Sequence, residues 1–111
     1  MSFRSVRPFL VEAGQAEAFE RAYRDGAFLE RAVTNPGFIQ GELVRVAADP
    51  PVFIALAEWA SEADYAAWQA AYDQLPAEPT ERMFATLRPD DGPGFVGEVI
   101  LTADRTTPPP D

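Results

Sequence analysis

The side chains best placed to do chemistry in this chain are aromatic. Trp59 closes a run of strand character, VFIALAEW over residues 52–59, and a helix-forming segment follows at once. That segment carries Tyr65, Trp68, Tyr72 and Leu75 at offsets of three, four and three, which is one helical face at about 100° per residue. Ser61 and Asp64 at the junction form a capping box, a side-chain acceptor and an acid at the helix start. A strand whose last large aromatic meets an aromatic helix face can wall a flat, apolar pocket. The same stripe also reads as ordinary core. The indole N–H of Trp59 needs a partner in either case, and a substrate oxygen could supply it.

What such a pocket could do is bounded by two absences. The 111 residues include no cysteine and no histidine. Disulfides, thiolate catalysis and Cys-type zinc are thereby excluded. So are the commonest general base, the commonest transition-metal ligand and the usual proximal heme ligand. Catalysis would fall to carboxylates, tyrosine, arginine, hydroxyls, backbone groups or the substrate itself. All nine basic residues are arginine, whose planar guanidinium suits an enolate or carboxylate. The one acidic turn, Asp90-Asp91-Gly92, lacks the oxygen density of a calcium or magnesium loop and reads as a solvated turn, so no metal is expected.

Length and composition predict a single globular domain, with hydrophobic residues at 47%. A net charge of −9 argues against nucleic acid and anionic membrane surfaces as partners. No apolar run nears the ~20 residues that span a bilayer, and no signal-type segment opens the chain, so a soluble, cytoplasmic protein is expected.

The elements that must position the aromatic junction follow from the pattern. A first strand is predicted over residues 3–11, with Phe3, Phe9 and Val11 in one phase and Pro8 demanding an edge or a bulge. A helix over 15–33 keeps Phe19, Ala22, Tyr23, Gly26, Leu29 and Val33 on one face, with a weak point at Asp25-Gly26. A kink there would turn Phe28 into a pocket. Asn35-Pro36-Gly37 ends that helix, and strands at 38–47 and 52–59 form a hairpin. Pro76 ends the aromatic helix. A short helix over 80–87 points Met83, Phe84 and Leu87 inward, and a last strand is predicted over 95–102. The domain is thus expected over 1–104, with a Pro-rich flexible tail at 105–111.

The order β-α-β-β-α-β is the split, ferredoxin-like α+β arrangement, one antiparallel sheet with its helices on one face. Neither phase of the strands is polar: Phe53, Ala55, Ala57 and Trp59 alternate with Val52, Ile54, Leu56 and Glu58. A sheet with one wet face alternates cleanly, so a second copy packed sheet to sheet is expected, giving a homodimer. Glu42, Arg45, Glu58 and Glu98 would then sit at barrel ends or in paired clusters, because an unpaired buried charge is costly.

The residues also carry a family likeness over roughly 3–101. Glu12-Ala-Gly-Gln followed by Ala-Glu-Ala-Phe19-Glu, then Gly37-Phe38-Ile39 leading to Glu42-Leu43-Val44-Arg45, and above all Glu58-Trp59-Ala-Ser61-Glu-Ala-Asp-Tyr65-Ala-Ala-Trp68, resemble the antibiotic biosynthesis monooxygenase family of dimeric α+β barrels. The resemblance implies that Trp59 lines a substrate pocket and that Tyr65 is the matching helix tyrosine. It implies an arginine after that helix that binds or polarises substrate, for which Arg82 is the nearest equivalent and Arg88 the second. The family often has an asparagine four residues before the strand tryptophan, where this chain has Ala55.

By that resemblance the expected activity is cofactor-independent monooxygenation: an aromatic polyketide or anthrone-type phenol oxidised to a quinone in secondary-metabolite biosynthesis. Dioxygen is the co-substrate, and heme is not expected. Trp59, Tyr65 and Arg82 are the expected catalytic residues, with Phe28, Tyr72, Met83 and Phe84 lining the substrate. A non-redox cyclase or isomerase acting on a similar substrate, and a non-catalytic small-molecule-binding dimer, remain alternatives.

Overall fold

Strand alternation decides which side chains meet the helices. In the computed structural model, which describes residues 2–110, β1 (Phe3–Leu10) pairs antiparallel with β3 (Val52–Trp59), so that Ser5 faces Ala57, Arg7 faces Ala55 and Phe9 faces Phe53. β2 (Phe38–Val46) flanks β3 and β4 (Phe95–Glu98) flanks β1, giving a four-stranded antiparallel sheet in the order β2-β3-β1-β4. With the helices this is the ferredoxin-like α+β fold. Met1 and Asp111, the ends of the expected domain and tail, lie outside the described residues.

Pro8 was expected at an edge or a bulge, yet β1 is an interior strand. The ladder explains it. The Leu10 N–H points away from β3 to the Asp91 carboxylate, and Pro8 shares Leu10's phase. β4 pairs only with Phe3 to Val6, so beyond Val6 that side of β1 has no strand beside it. Pro8 therefore removes no ladder hydrogen bond.

The long helix expected over 15–33 is broken, as its weak point implied. α1 (Ala16–Asp25) ends at Gly26, Ala27 adopts a left-handed φ of 51°, and α2 (Phe28–Ala32) resumes. Phe19, Ala22 and Tyr23 of α1 pack with Phe9, Val11, Phe28, Phe53 and Met83 into the main core. Burial of each such large side chain contributes about 1.5–3 kcal/mol. This core occupies the Phe9–Phe53 end of the inner sheet face. α4 (Ala77–Phe84) supplies Met83 to it; the helix starts three residues earlier than the expected 80, with Pro79 in its first turn, where a missing N–H costs nothing.

The other end of the inner face is different. α3 (Glu62–Ala70) lies over it without burying a single residue, and a short 3₁₀ turn (Tyr72–Gln74) follows. The expected helix through Leu75 is thus shorter, although the aromatic stripe continues. Ser61 caps α3 as expected, accepting from the Asp64 N–H at 3.1 Å, while its hydroxyl donates to the Asp64 carboxylate at 2.7 Å. The outer face carries Val6, Leu10, Val46, Ile54 and Leu56, with Val44 and Phe95 exposed. Glu58 on that face pairs with Arg4 and accepts from Gln40, and Arg45 pairs with Glu20. β4 ends at Glu98 rather than 102; beyond it the Val99 N–H is held by the Ser2 carbonyl at 2.9 Å, and residues 100–110 are exposed. Among the described residues no helix is long and apolar enough to cross a membrane.

Gly37 ties α3 to the sheet. A Cβ there would lie 2.0 Å from the Asp64 carboxylate, and its carbonyl accepts from the Ala60 N–H at 2.8 Å. Gly37→Ala is expected to cost about 1–3 kcal/mol by overpacking, whereas Gly92→Ala, with nothing within 4 Å of its Cβ position, stays within about 0.5 kcal/mol. Urea denaturation of the two variants measures the difference.

Candidate functional site

Ala55 and Ala57 carry too little volume to reach α3, and the space above them is a cavity. Its free volume is about 50 Å³, a narrow slot between the sheet and the helix. The sheet supplies Ser5, Arg7 and Phe9 from β1, Ala55, Ala57 and Trp59 from β3, and Phe38 from β2. Tyr65, Trp68, Tyr72 and Leu75 form the roof, and Tyr23, Phe28, Leu29, Thr80, Met83 and Phe84 close the far wall.

Six of the expected site residues therefore converge: Trp59, Tyr65, Phe28, Tyr72, Met83 and Phe84. Trp59 is 1% exposed and holds the closed end, meeting the edges of Phe38 and Tyr65 at ring-centroid distances of 5.4 and 5.7 Å. Its indole N–H is not free for a ligand, contrary to expectation. It donates to the Ser5 hydroxyl at 3.0 Å, inside the protein. Phe28 folds back over Gly26, where a Cβ would lie 2.6 Å from its ring, and packs edge-on against Tyr23. Phe84 lines the cavity while remaining 42% exposed, which places it at the mouth.

Arg82 does not join them. It projects from α4 to the surface, where Glu78 and Asp25 hold its guanidinium at 2.8 and 2.9 Å. One helical turn pairs it with Glu78, and that pairing turns it away from the cavity. Arg88 is also outside the lining; its backbone N–H donates to the Leu10 carbonyl. The cation at the cavity is Arg7, which sequence reasoning missed. Its signal was present: Arg7 shares the inward phase of Phe9 in β1, and an arginine in that phase is an interior charge. Asp91 reaches it from residues 88–94 with two parallel bonds, Nη1 to Oδ1 at 3.1 Å and Nη2 to Oδ2 at 2.9 Å. Within the acidic turn Asp91 is thus sequestered and structural, while Asp90 and Gly92 are exposed as expected. Among the described residues no cluster of three or more acidic side chains could hold a metal.

The hydroxyls set the remaining polarity. Burial raises the Tyr72 phenol above its ordinary pKa and nearby Tyr65 adds to this, while Arg7 and the Trp68 indole pull the other way. Burial also raises Tyr65, against the pull of Arg7 and of Gln69, whose amide donates to the Tyr65 oxygen at 2.6 Å. Tyr23 is raised further, first by burial and then by Tyr72 and Glu30. All three are neutral donors at neutral pH. Thr80 Oγ1 is buried at the cavity wall with no partner among the described residues.

The sequence matches the family model described as antibiotic biosynthesis monooxygenase over residues 2–75. No curated protein matches it. Solved structures share its fold. A dimeric ferredoxin-like protein from an uncultured marine organism superposes with a TM-score of 0.76 at 14% identity, covering 95% of this chain and 93% of that one. SnoaB, a cofactor-independent oxygenase from Streptomyces nogalater, gives 0.66 at 20% identity, covering 91% and 95%. A conserved protein from Methanosarcina mazei Go1 gives 0.65 at 15% identity, covering 87% and 89%.

Two substitutions at the cavity should move stability in opposite directions. Ser5→Ala strands the buried Trp59 N–H and should cost about 1–3 kcal/mol, whereas Thr80→Val replaces an unpaired hydroxyl with an apolar isostere and should gain about 1 kcal/mol. Thermal and urea melts of the ligand-free protein test both signs.

Proposed function

From the premise that the chain belongs to the antibiotic biosynthesis monooxygenase family, we propose that it is a cytoplasmic, cofactor-independent monooxygenase. Its proposed substrate is an aromatic polyketide or anthrone-type phenol, which it oxidises to a quinone in secondary-metabolite biosynthesis. The observation that carries this reading is the cavity beside Trp59, which combines flat aromatic walls with few polar groups, all of them donors or hydroxyls.

The chemistry asks little of the protein. An anthrone loses a proton from its methylene carbon, and the resulting anion passes one electron to dioxygen. The radical pair recombines to a hydroperoxide on that carbon, which expels water and leaves the carbonyl. One dioxygen is consumed, and one quinone and one water are formed. The cavity contributes desolvation, alignment of the ring plane and donors aimed at the developing oxyanion. Tyr65 suits the donor role, because Gln69 occupies its oxygen from outside and leaves the phenolic hydrogen to donate. Tyr72 is a second donor on the same roof. Trp59 acts as a wall rather than as a donor.

The outer sheet face supports a homodimer. Ile54 and Leu56 alternate outward beside Val44 and Val46, and Val44 and Phe95 are exposed in the single chain. A second copy packed sheet to sheet removes this surface from water.

Incubating the purified protein with anthrone in chelator-treated buffer, in an oxygen electrode, should show uptake above the buffer control, with one dioxygen consumed per quinone formed. Tyr65→Phe should slow it by about 10²-fold. A rate equal to the buffer control rejects the oxygenase reading, and substrate loss without oxygen uptake replaces it with a cyclase or isomerase. For the assembly, sedimentation should give a dimer for the native chain and a monomer for Val44→Glu.

A further inference from the structure

Arg7 is the single charged side chain lining the cavity among the described residues; no carboxylate shares that wall. Its environment is built. Asp91 holds both terminal nitrogens, and the Pro8 and Gly92 carbonyls accept from Nη1. Phe9 lies beneath the guanidinium, with Cζ 4.2 Å from the ring centroid. The Arg7 side chain is 15% exposed and that of Asp91 11%, so the pair is largely removed from bulk water. Among the described residues Nε makes no hydrogen bond. Across the β1–β3 ladder stands Ala55, with nothing beyond Cβ to cover the guanidinium. Arg7 thus borders a space otherwise walled largely by rings.

Arg7 acts on the roof as well: it makes both Tyr65 and Tyr72 more acidic than burial alone would leave them. A ligand oxygen between β1 and the roof would feel the same field. Opposite charge within about 4–6 Å favours the ionised form of an acidic group.

We propose that Arg7, held by Asp91, is the anion-recognising residue of the cavity, and that it selects flat aromatic ligands carrying an ionised hydroxyl on the edge that faces β1. The assignment rests on the cavity being the substrate site. It does not depend on dioxygen being used. It makes Arg7 a substrate-binding residue, and Asp91 a positioning residue that acts through it.

The test uses 1,2-dihydroxyanthraquinone, whose absorbance reports its ionisation, and its dimethyl ether, which cannot ionise. With the native chain, affinity for the dihydroxy dye should rise as pH passes upward through its ionisation, while affinity for the ether stays flat. Affinity for the dye that is unchanged or falls overturns the proposal without any variant. In Arg7→Gln/Asp91→Asn, which removes the pair as neutral near-isosteres, the bound dye should ionise at a pH higher by about one unit, a tenfold loss of preference for the anion. Arg7→Lys should restore most of the shift. Circular dichroism establishes that each variant is folded. Equal ionisation in the native and doubly substituted proteins overturns Arg7 and leaves the cavity as the site. Failure of the native chain to bind either compound overturns the site and Arg7 together. Anion selection without oxygen uptake on anthrone keeps Arg7 and removes the oxygenase reading.

Discussion

Trp59 is the side chain on which the rest of the arrangement depends, because it fixes where the sheet ends and where α3 begins. Its N–H is bonded to Ser5 on the neighbouring strand, and its faces and edges meet Phe38 of β2 and Tyr65 of α3. Three strands and a helix are thereby tied to one buried ring. Gly37 adds a second tie at the same point by letting the Asp64 side chain close against the backbone. α3 is held at its N-terminus and otherwise lies above the sheet. Amphipathic helices normally gain stability by burying one face in a core, but α3 presents its aromatic face to a cavity. Ala55 and Ala57 maintain that cavity, since larger residues there would fill it.

The opposite end of the inner face is filled in the ordinary way. Phe9, Phe19, Tyr23 and Phe53 interlock, with ring centroids 4.7 to 6.1 Å apart. The division has a cost and a use. One end of the sheet supplies most of the burial that stabilises the fold, and the other is left as a cavity. Arg7 lies near the boundary, where Phe9 shields one side of its guanidinium, and residues 88–94 wrap the end of β1 to hold it. Gly94 makes this wrapping possible: a Cβ there would lie 2.6 Å from the Val6 carbonyl oxygen.

Much of this was legible in the sequence, and the misses have physical causes. The strands and hairpin followed from apolar runs bounded by Asn-Pro-Gly and Asp-Pro-Pro. The break after Asp25 followed from Gly26, and the turn of Phe28 toward a pocket followed from the break. α3 was overextended because the aromatic stripe keeps its period through Tyr72 and Leu75 while the backbone tightens to 3₁₀ after Ala71; periodicity reports which residues share a face, not which hydrogen bonds form. β4 was overextended because Val99, Ile100 and Leu101 are apolar, yet the ladder with β1 ends at Glu98. The Trp59 wall was readable, but its partner was not, since Ser5 is brought to it only by strand register. Arg82 follows the aromatic helix in the sequence, but a neighbour one turn away, Glu78, holds it outward. Arg7 was hidden because it sits beside a proline in a strand read for its apolar residues.

The inventory of the cavity also limits the chemistry in a way that the fold alone does not. Its polar groups are a cation, neutral phenols and hydroxyls, and none of them is a base at neutral pH. Burial raises the phenols of Tyr23, Tyr65 and Tyr72, which stay protonated, and among the described residues no carboxylate lines the wall. Such a site can stabilise an anion and donate hydrogen bonds to it, but it cannot take up a proton with a carboxylate or imidazole. Under the proposed function, the substrate's proton therefore leaves to water rather than to a side chain. That requirement favours substrates whose own acidity brings ionisation within reach of the field from one arginine, such as phenols and anthrones, over those whose C–H bonds need a strong side-chain base.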